Sequence, residues 1–390
     1  MNKKIIHSFN HSLIQSLSTM KYFIIAGERS GDLHGSNLIK AIKKADNQAE
    51  LKAWGGDYMQ AAGAEITKHY RELAFMGFLE VLKNLPTILG FIGECKKTIQ
   101  EFQPDAIILI DYAGFNMRIA KWAKKEGYKV FYYISPKVWA WNQNRAWSLK
   151  KNLDRLFVIF PFEVEFFKKY NFEVEFVGNP LFDAIATFKP AADFLGNSGL
   201  KEKKIIALLP GSRKQEVEKM LNLMVATQNK FADYQFVIAG VGNLSLDFYK
   251  PFLNDNISLV IDQTYDLLSH STAALVTSGT ATLETALFSV PQVVCYKTSK
   301  ISYQIGKLVI KVPFISLVNL VAQKEVVKEL IQGDLTIENL SNELDKIINN
   351  ESFRNQQILE YKQVKESLGE VGASEKTGRR IVEILKNQIK

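Results

Sequence analysis

Lys204-Ile205-Ile206-Ala207-Leu208-Leu209-Pro210-Gly211-Ser212-Arg213 is the stretch on which the fold turns. Its apolar run from Ile205 to Leu209, with charge before it and Pro-Gly after it, reads as a buried parallel strand that stops abruptly. Glu216, Val217, Met220, Leu221, Met224, Val225 and Phe231 then recur at helical spacing, so Gly211-Ser212-Arg213 joins the carboxyl end of a strand to the amino terminus of a helix. Open backbone N–H groups and the positive end of the helix dipole favour an anion there. Gly211 permits close approach, and Arg213 can hold two phosphate oxygens at once. An ordinary strand-to-helix turn with a surface arginine explains the same residues, and other stretches must decide.

The totals set the frame. A chain of 390 residues exceeds what one hydrophobic core fills, which predicts two domains. Hydrophobic residues at 47% and charged residues at 23% describe a globular chain. A net charge of +8 favours an anionic partner: a phosphorylated substrate, an acidic membrane surface or nucleic acid. With no long basic tract and no zinc-finger or RNA-recognition signature, no nucleic acid partner is expected. Cys95 and Cys295, far apart in sequence, point to a reducing compartment and to no metal cluster. Residues 1–20 read as a polar, disordered extension with Met20 as an alternative start, and no stretch has the roughly 20 apolar residues of a spanning helix.

Outward from the central loop, strand and helix patterns alternate in both directions. Lys21–Ala26 is the opening strand, and Gly27-Glu28-Arg29-Ser30-Gly31-Asp32 the turn into the next helix. Ser30 and Gly31 suit a ligand cleft, whereas Asp32 is equally read as a helix cap. The spacing is not G-x-G-x-x-G, so a dinucleotide fingerprint is absent. Asp105–Asp111 is a central strand whose last carboxylate points to where open α/β sheets place ligands. Asp111 is thus the best general-base candidate, with a cap for the following helix as the alternative; Asn116 lies in that helix. Val138-Trp139-Ala140-Trp141 supplies either a pocket wall or core. Strands are further expected at 51–54, 129–134, 155–160, 173–177, 235–239, 257–261, 273–276 and 292–296.

Ala274 to Glu284 repeats the strand, small-residue turn and helix start. Ser278, Gly279 and Thr280 offer hydroxyls and N–H groups to a phosphate, and Glu284 can accept from a ribose; a capping box explains part of the pattern. Ser316-Leu317-Val318-Asn319-Leu320 is a third loop, expected to precede a helix through Val326, Val327 and Leu330. A charged helical segment from Ile358, broken at Gly369 and Gly372, closes the chain. No Asp-x-Asp pair occurs, so no metal and no cofactor are expected, and Arg213 with the helix dipoles must neutralise a leaving diphosphate.

Phe75, Phe78, Leu79, Leu82, Leu85, Ile88, Leu89 and Ile92 repeat at three- and four-residue steps, interrupted by Pro86 and flanked by Arg71, Lys83, Lys96 and Lys97. Such a run is either a core-facing helix or, with Phe75, Met76 and Phe78 clustered at its start, a helix lying in a bilayer interface.

These blocks together, namely Gly27–Asp32, Met76-Gly77 with Glu80-Val81-Leu82, Ile110-Asp111 with Phe115-Asn116, Ser135-Pro136 with Val138–Trp141, Leu208–Arg213, Ser278–Glu284 and Asn319-Leu320, resemble the lipid A disaccharide synthase family in content and order from about residue 21 onward. The resemblance implies an α/β fold of the GT-B class, two Rossmann-like domains facing a cleft with a C-terminal helical segment returning to the first. It divides the chain at 21–185 (acceptor domain), 186–355 (UDP-sugar domain) and 356–390 (helical segment). It implies an inverting hexosyltransferase that condenses UDP-2,3-diacylglucosamine with 2,3-diacylglucosamine 1-phosphate (lipid X), releasing UDP and forming the β-1,6 disaccharide 1-phosphate. Carried across by position, Asp111 and Arg213 match the catalytic pair, and Glu284 and Asn319 match UDP contacts beside Gly211, Ser212, Ser278, Gly279 and Thr280. Ser30, Gly31, Asp32, Asn116 and Trp139 then fall on the acceptor side or the cleft.

Because both substrates are acylated, the resemblance also favours Phe75, Met76, Phe78, Leu79 and Leu82, within the run to Ile92, as a peripheral contact with the inner-membrane surface of a cytoplasmic enzyme. It allows a homodimer paired through C-terminal halves. Tyr112-Ala113-Gly114 and Asn179 depart from residues common in relatives, which leaves neighbouring acceptor contacts open. The rivals are another GT-B UDP-GlcNAc transferase or 2-epimerase and, from Gly240-Val241-Gly242, an NAD-dependent oxidoreductase that lacks its third glycine.

Overall fold

A computed structural model describes residues 19–73 and 85–389. The membrane-contact candidates Phe75, Met76, Phe78, Leu79 and Leu82 lie outside the described residues.

The continuous apolar runs become strands buried on both faces, as parallel sheets require. In the first sheet β1 (Lys21–Ala26), β2 (Glu50–Gly55), β3 (Glu65–His69), β4 (Ala106–Ile110), β5 (Lys129–Tyr133), β6 (Arg155–Val158) and the short β7 (Glu175–Phe176) take the order β3-β2-β1-β4-β5-β6-β7. The pairings from β3 through β6 are parallel. The second sheet holds β8 (Lys204–Leu209), β9 (Tyr234–Gly240), β10 (Ile257–Ile261), β11 (Ser271–Thr277), β12 (Gln292–Tyr296) and β13 (Lys328–Ile331) in the order β10-β9-β8-β11-β12-β13, parallel throughout. Alternation along β8 sends Ile206 and Leu208 into one core layer and Ile205, Ala207 and Leu209 into the other. In each sheet the chain runs outward, then returns to add strands on the far side of its first one. The switch points therefore fall between β1 and β4 and between β8 and β11.

By contacts the chain forms two units. One holds the described residues up to Pro136, with Trp147–Phe157 and those from Ser374 onward; the other holds Lys137–Ala146 and Val158–Ala373. The closing helix Ala373–Ile389 rests on the helix Arg29–Ala45, where a Cβ on Gly378 would meet that of Ala41 at 2.7 Å. Lys44 and Glu375 pair across the contact at 2.8 Å.

One strand has no counterpart in the sequence reading, and two expectations are corrected. β3 carries Glu65-Ile66-Thr67-Lys68-His69 at a sheet edge, half exposed, and so shows no apolar run to read. The helix expected through Val326, Val327 and Leu330 is instead the short helix Leu317–Ala322 followed by β13. The reason is Asn319, whose Oδ1 accepts from the N–H groups of Val326 (2.7 Å) and Val327 (2.9 Å) and turns the chain into β13, beside β12. In the apolar run that begins at Phe75, Ile88 and Ile92 do not face a membrane. They lie on the inner side of the helix Leu85–Phe102 with Cys95, Ile99 and Phe102, all buried, while Leu89 is exposed. Pro86 falls at the second residue of that helix, where its missing N–H costs nothing. No helix among the described residues is long and apolar enough to cross a membrane.

Candidate active site

At the switch point of the second sheet two loops leave adjacent strands side by side. Gly211 takes φ +104°, a region that favours glycine, and its missing Cβ would lie 3.8 Å from Thr277 Cγ2 at the end of β11. Ser212 and Arg213 are exposed, and Arg213 caps the helix Lys214–Ala226 through its backbone alone. The guanidinium rests 3.3 Å from Glu216 in an exposed pair, a weak tether that a diphosphate can outcompete. Asn243, from the loop after β9, reaches the Ser212 carbonyl at 3.5 Å. Tyr296, at the end of β12, has its phenol pKa raised by burial and by the Glu216 charge, with Arg213 opposing.

The second loop corrects part of the expected phosphate cradle. The Ser278 N–H bonds the Cys295 carbonyl (3.1 Å) and its hydroxyl donates to the Ile315 carbonyl (2.8 Å), so Ser278 ties strands and loops together. Gly279 and Thr280 remain as the open positions: the helix Thr280–Leu287 begins with no side-chain cap, and Thr280 is exposed. Glu284, one turn on, is half-buried and accepts from the Tyr265 hydroxyl at 2.8 Å. Burial raises its pKa, with the Tyr265 bond opposing.

Asn319 is fully buried and its carboxamide is committed. Beyond the two bonds into β13's approach, Nδ2 donates to the Val327 carbonyl (2.9 Å) and to Glu329 (2.9 Å). Glu329 also accepts from the Ile315 and Ser316 N–H groups and from the Ser316 hydroxyl. This network was not anticipated from sequence. The carboxamide expected to contact UDP is a buried pin in this structure, with both donors and both acceptor positions engaged by protein.

The first sheet's switch point brings the Gly27–Ser30 turn and the turn at Asp111 together. A Cβ on Gly27 would fall 2.3 Å from the Tyr112 ring, which explains glycine there. Asp111 and Tyr112 both take left-handed backbone conformations, φ +43° and +47°, at non-glycine residues. The turn is held by Asn116 Nδ2, which donates to the carbonyls of Ile110 (3.1 Å) and Asp111 (3.0 Å), and by the Tyr132 hydroxyl, which donates to the Asp111 carbonyl. Burial pushes the Tyr112 phenol up to about 12, with Glu28 adding to it. Asp111 itself is half-buried, and its strained backbone is of the kind that concentrates at functional sites.

Four acceptor-side expectations change. Asn116 is fully buried and acts on the Asp111 backbone. Asp32 is buried and accepts from the N–H groups of Gly56 (2.8 Å), Tyr58 (3.0 Å) and Met59 (3.1 Å), capping the neighbouring helix Asp57–Ala61. Gly31 is buried against Ala26, where a Cβ would stand at 3.2 Å. Trp139 is core: its indole N–H donates to Glu163 (3.2 Å) and its ring meets Phe160 and Phe162 edge-on. Ser30 is exposed, with its hydroxyl on Glu28 at 3.1 Å. Among the described residues no cluster of His, Cys, Asp and Glu could hold a metal ion.

A family model described as Lipid-A-disaccharide synthetase matches residues 22–381. The chain belongs to that family. The lipid-A-disaccharide synthase of Syntrophus aciditrophicus is 38% identical, covering 93% of this chain and 97% of its own. Those of Coxiella burnetii (37%; 87% and 91%) and Geobacter metallireducens (36%; 94% and 97%) are similar throughout. Membership makes the chain a glycosyltransferase of lipid A biosynthesis, acting on UDP-2,3-diacylglucosamine and lipid X. Solved structures agree on the fold. A Staphylococcus aureus MnaA–UDP structure superposes with a TM-score of 0.68 at 15% identity, covering 94% of this chain and 97% of that one. The Neisseria meningitidis UDP-GlcNAc 2-epimerase bound to UDP-GlcNAc gives 0.63 at 14%, covering 94% and 100%. At such identity these show the GT-B fold of two Rossmann-like domains and nothing of the reaction, while the sequence relatives decide for the synthase over the epimerase and the oxidoreductase.

Proposed function

We propose that the disaccharide-forming reaction of this family is divided in this chain between the two switch points. Gly211, Ser212 and Arg213, with Gly279 and Thr280, bind the UDP diphosphate, and Asp111 is the general base. The observation that carries the reading is the pair of helix amino termini opening side by side after β8 and β11, with an exposed arginine on one of them. Glu284 accepts from the ribose, and Asn319 and Ser278 hold the loops rather than touch the nucleotide.

In the reaction Asp111 takes the proton of the acceptor 6-hydroxyl as that oxygen bonds to the donor's anomeric carbon and the bond from that carbon to the UDP oxygen breaks, inverting its configuration. Arg213 and the two helix dipoles stabilise the charge growing on UDP. Asp111→Asn retains UDP affinity and abolishes formation of the tetraacyl disaccharide, followed by mass spectrometry with both lipid substrates and no added metal; a fully active variant refutes the assignment.

The same reading places the enzyme on the cytoplasmic face of the inner membrane, with Phe75, Met76, Phe78, Leu79 and Leu82 as one contact. Its support is the aromatic and apolar cluster followed by lysines, the acylated substrates and the net charge of +8. Serine at Phe75, Phe78 and Leu79 releases the protein from membranes without unfolding it; unfolding shows these residues to be core.

A further inference from the structure

The helix Lys300–Val309 faces the wrong way for a helix of a globular domain, since none of its residues is buried. Ile301, Ile305, Leu308 and Val309 fall on one stripe at helical spacing, and that stripe points outward: Ile301 is 75% and Leu308 79% exposed, with Ile305, Val309 and Ile310 also exposed. Tyr303 and Gly306, near the opposite side of the helix, are the residues partly covered by protein. The helix is nevertheless built, because Ser299 caps it by accepting from the Ser302 N–H at 3.1 Å and Lys307 lies over the Tyr303 ring one turn away.

Its charges are of one sign. Residues 285–324 contain no Asp or Glu, while Lys300, Lys307 and Lys311 stand exposed on or just beyond the helix and the half-buried Lys297 lies just before it. An outward apolar stripe rimmed by lysines matches the interfacial zone of an anionic bilayer, acyl chains beneath the stripe and headgroups beside the amines. Its place in the fold fits that partner. The helix leaves the carboxyl end of β12, and the chain returning from it brings the Ile315 carbonyl to the Ser278 hydroxyl, so helix and nucleotide loops share one edge of the second sheet.

We propose that the helix Lys300–Val309 is a membrane-docking element of the UDP-sugar unit, seating its apolar stripe in an anionic lipid surface beside the donor site. The inference rests on the reading of the chain as an enzyme of acylated sugars but is independent of residues 75–82. An acylated donor then reaches the nucleotide loops with its chains still shielded from water.

The test is co-sedimentation of the full chain with phosphatidylcholine vesicles with and without 30% phosphatidylglycerol, a composition chosen so that several anionic headgroups, each worth about 1 kcal/mol per lysine, fall under the helix. Ile301→Ser/Ile305→Ser/Leu308→Ser is expected to lower partitioning into the anionic vesicles on the order of tenfold or more, with the circular dichroism spectrum unchanged. Lys300→Glu/Lys307→Glu/Lys311→Glu, which leaves the stripe intact, is expected to weaken anionic binding at least as far and to leave neutral vesicles unaffected. Parent-level binding by either triple variant overturns the proposal, as does a change from dimer to monomer with vesicle binding retained, which would make a second copy of the chain the occupant. If the Phe75/Phe78/Leu79 serine variant binds like the parent while the Ile301/Ile305/Leu308 variant does not, the earlier contact falls and this one stands; the reverse result overturns this one.

Discussion

Asn116→Ala separates a residue that merely packs from one that aims the proposed base, Asp111. Its Nδ2 holds two carbonyls, the buried one of Ile110 at 3.1 Å and the part-buried one of Asp111 at 3.0 Å. Two such bonds are worth about 1 kcal/mol each, and leaving the Ile110 carbonyl without this partner adds about 1 kcal/mol more, so urea unfolding of the first unit should show a loss of about 3 kcal/mol. The larger effect is local. Consecutive left-handed residues store on the order of 1–3 kcal/mol each, and without Asn116 the turn loses one side chain that grips the Asp111 carbonyl and keeps another, the Tyr132 hydroxyl. The turn then relaxes and the carboxylate moves; a displacement of about 1 Å costs on the order of a hundredfold in kcat. UDP affinity, measured by calorimetry, stays at the parent value because the nucleotide loops belong to the other unit. Tyr132→Phe, which removes one bond and keeps the amide, should cost about 1 kcal/mol and a smaller share of kcat. A destabilised Asn116→Ala with parental kcat would refute the idea that the strained turn sets the base.

Arg213→Ala leaves stability within about 0.5 kcal/mol of the parent, since it breaks only an exposed pair, yet weakens UDP binding by roughly 10- to 100-fold, readable by thermal melts and calorimetry on one sample. Glu329→Ala strips the acceptor shared by Ile315, Ser316 and Asn319 and is expected to cost at least about 3 kcal/mol in urea unfolding and to weaken UDP binding with it, because the Ser278 anchor at Ile315 is released. Glu284 carries a pH signature. Its folded pKa is raised, so the folded state binds the proton more tightly than the unfolded chain. The stabilising contribution is complete below the ordinary carboxylate range and is lost as pH rises through the raised folded value. Glu284→Gln, which still accepts from Tyr265, should therefore gain stability relative to the parent as pH rises across that window; equal pH profiles would count against the burial.

Most of the scaffold is written locally. Ile205–Leu209, Phe23–Ile25 and Ile107–Ile110 are apolar without interruption, and only a strand covered on both faces suits them, so the alternation of strand and helix and the position of the Gly211 and Asp111 turns follow from sequence. What failed was wherever a side chain's partner comes from elsewhere in the chain. Glu65–His69 becomes a strand because β2 offers it a ladder, and Val326–Leu330 becomes extended because Asn319 caps its backbone and β12 lacks a neighbour.

Residue types thus suggested the proposed chemistry, a glycine turn with an arginine for a diphosphate and a strand-end aspartate for a proton. Whether a polar residue meets the ligand or the protein was decided by tertiary structure alone. Asp32 was spent on a neighbouring helix, Asn319 on an approaching strand, Asn116 on the Asp111 backbone and Ser278 on a distant carbonyl. A buried hydrogen bond depends on where another segment lies, and no spacing along the chain carries that distance.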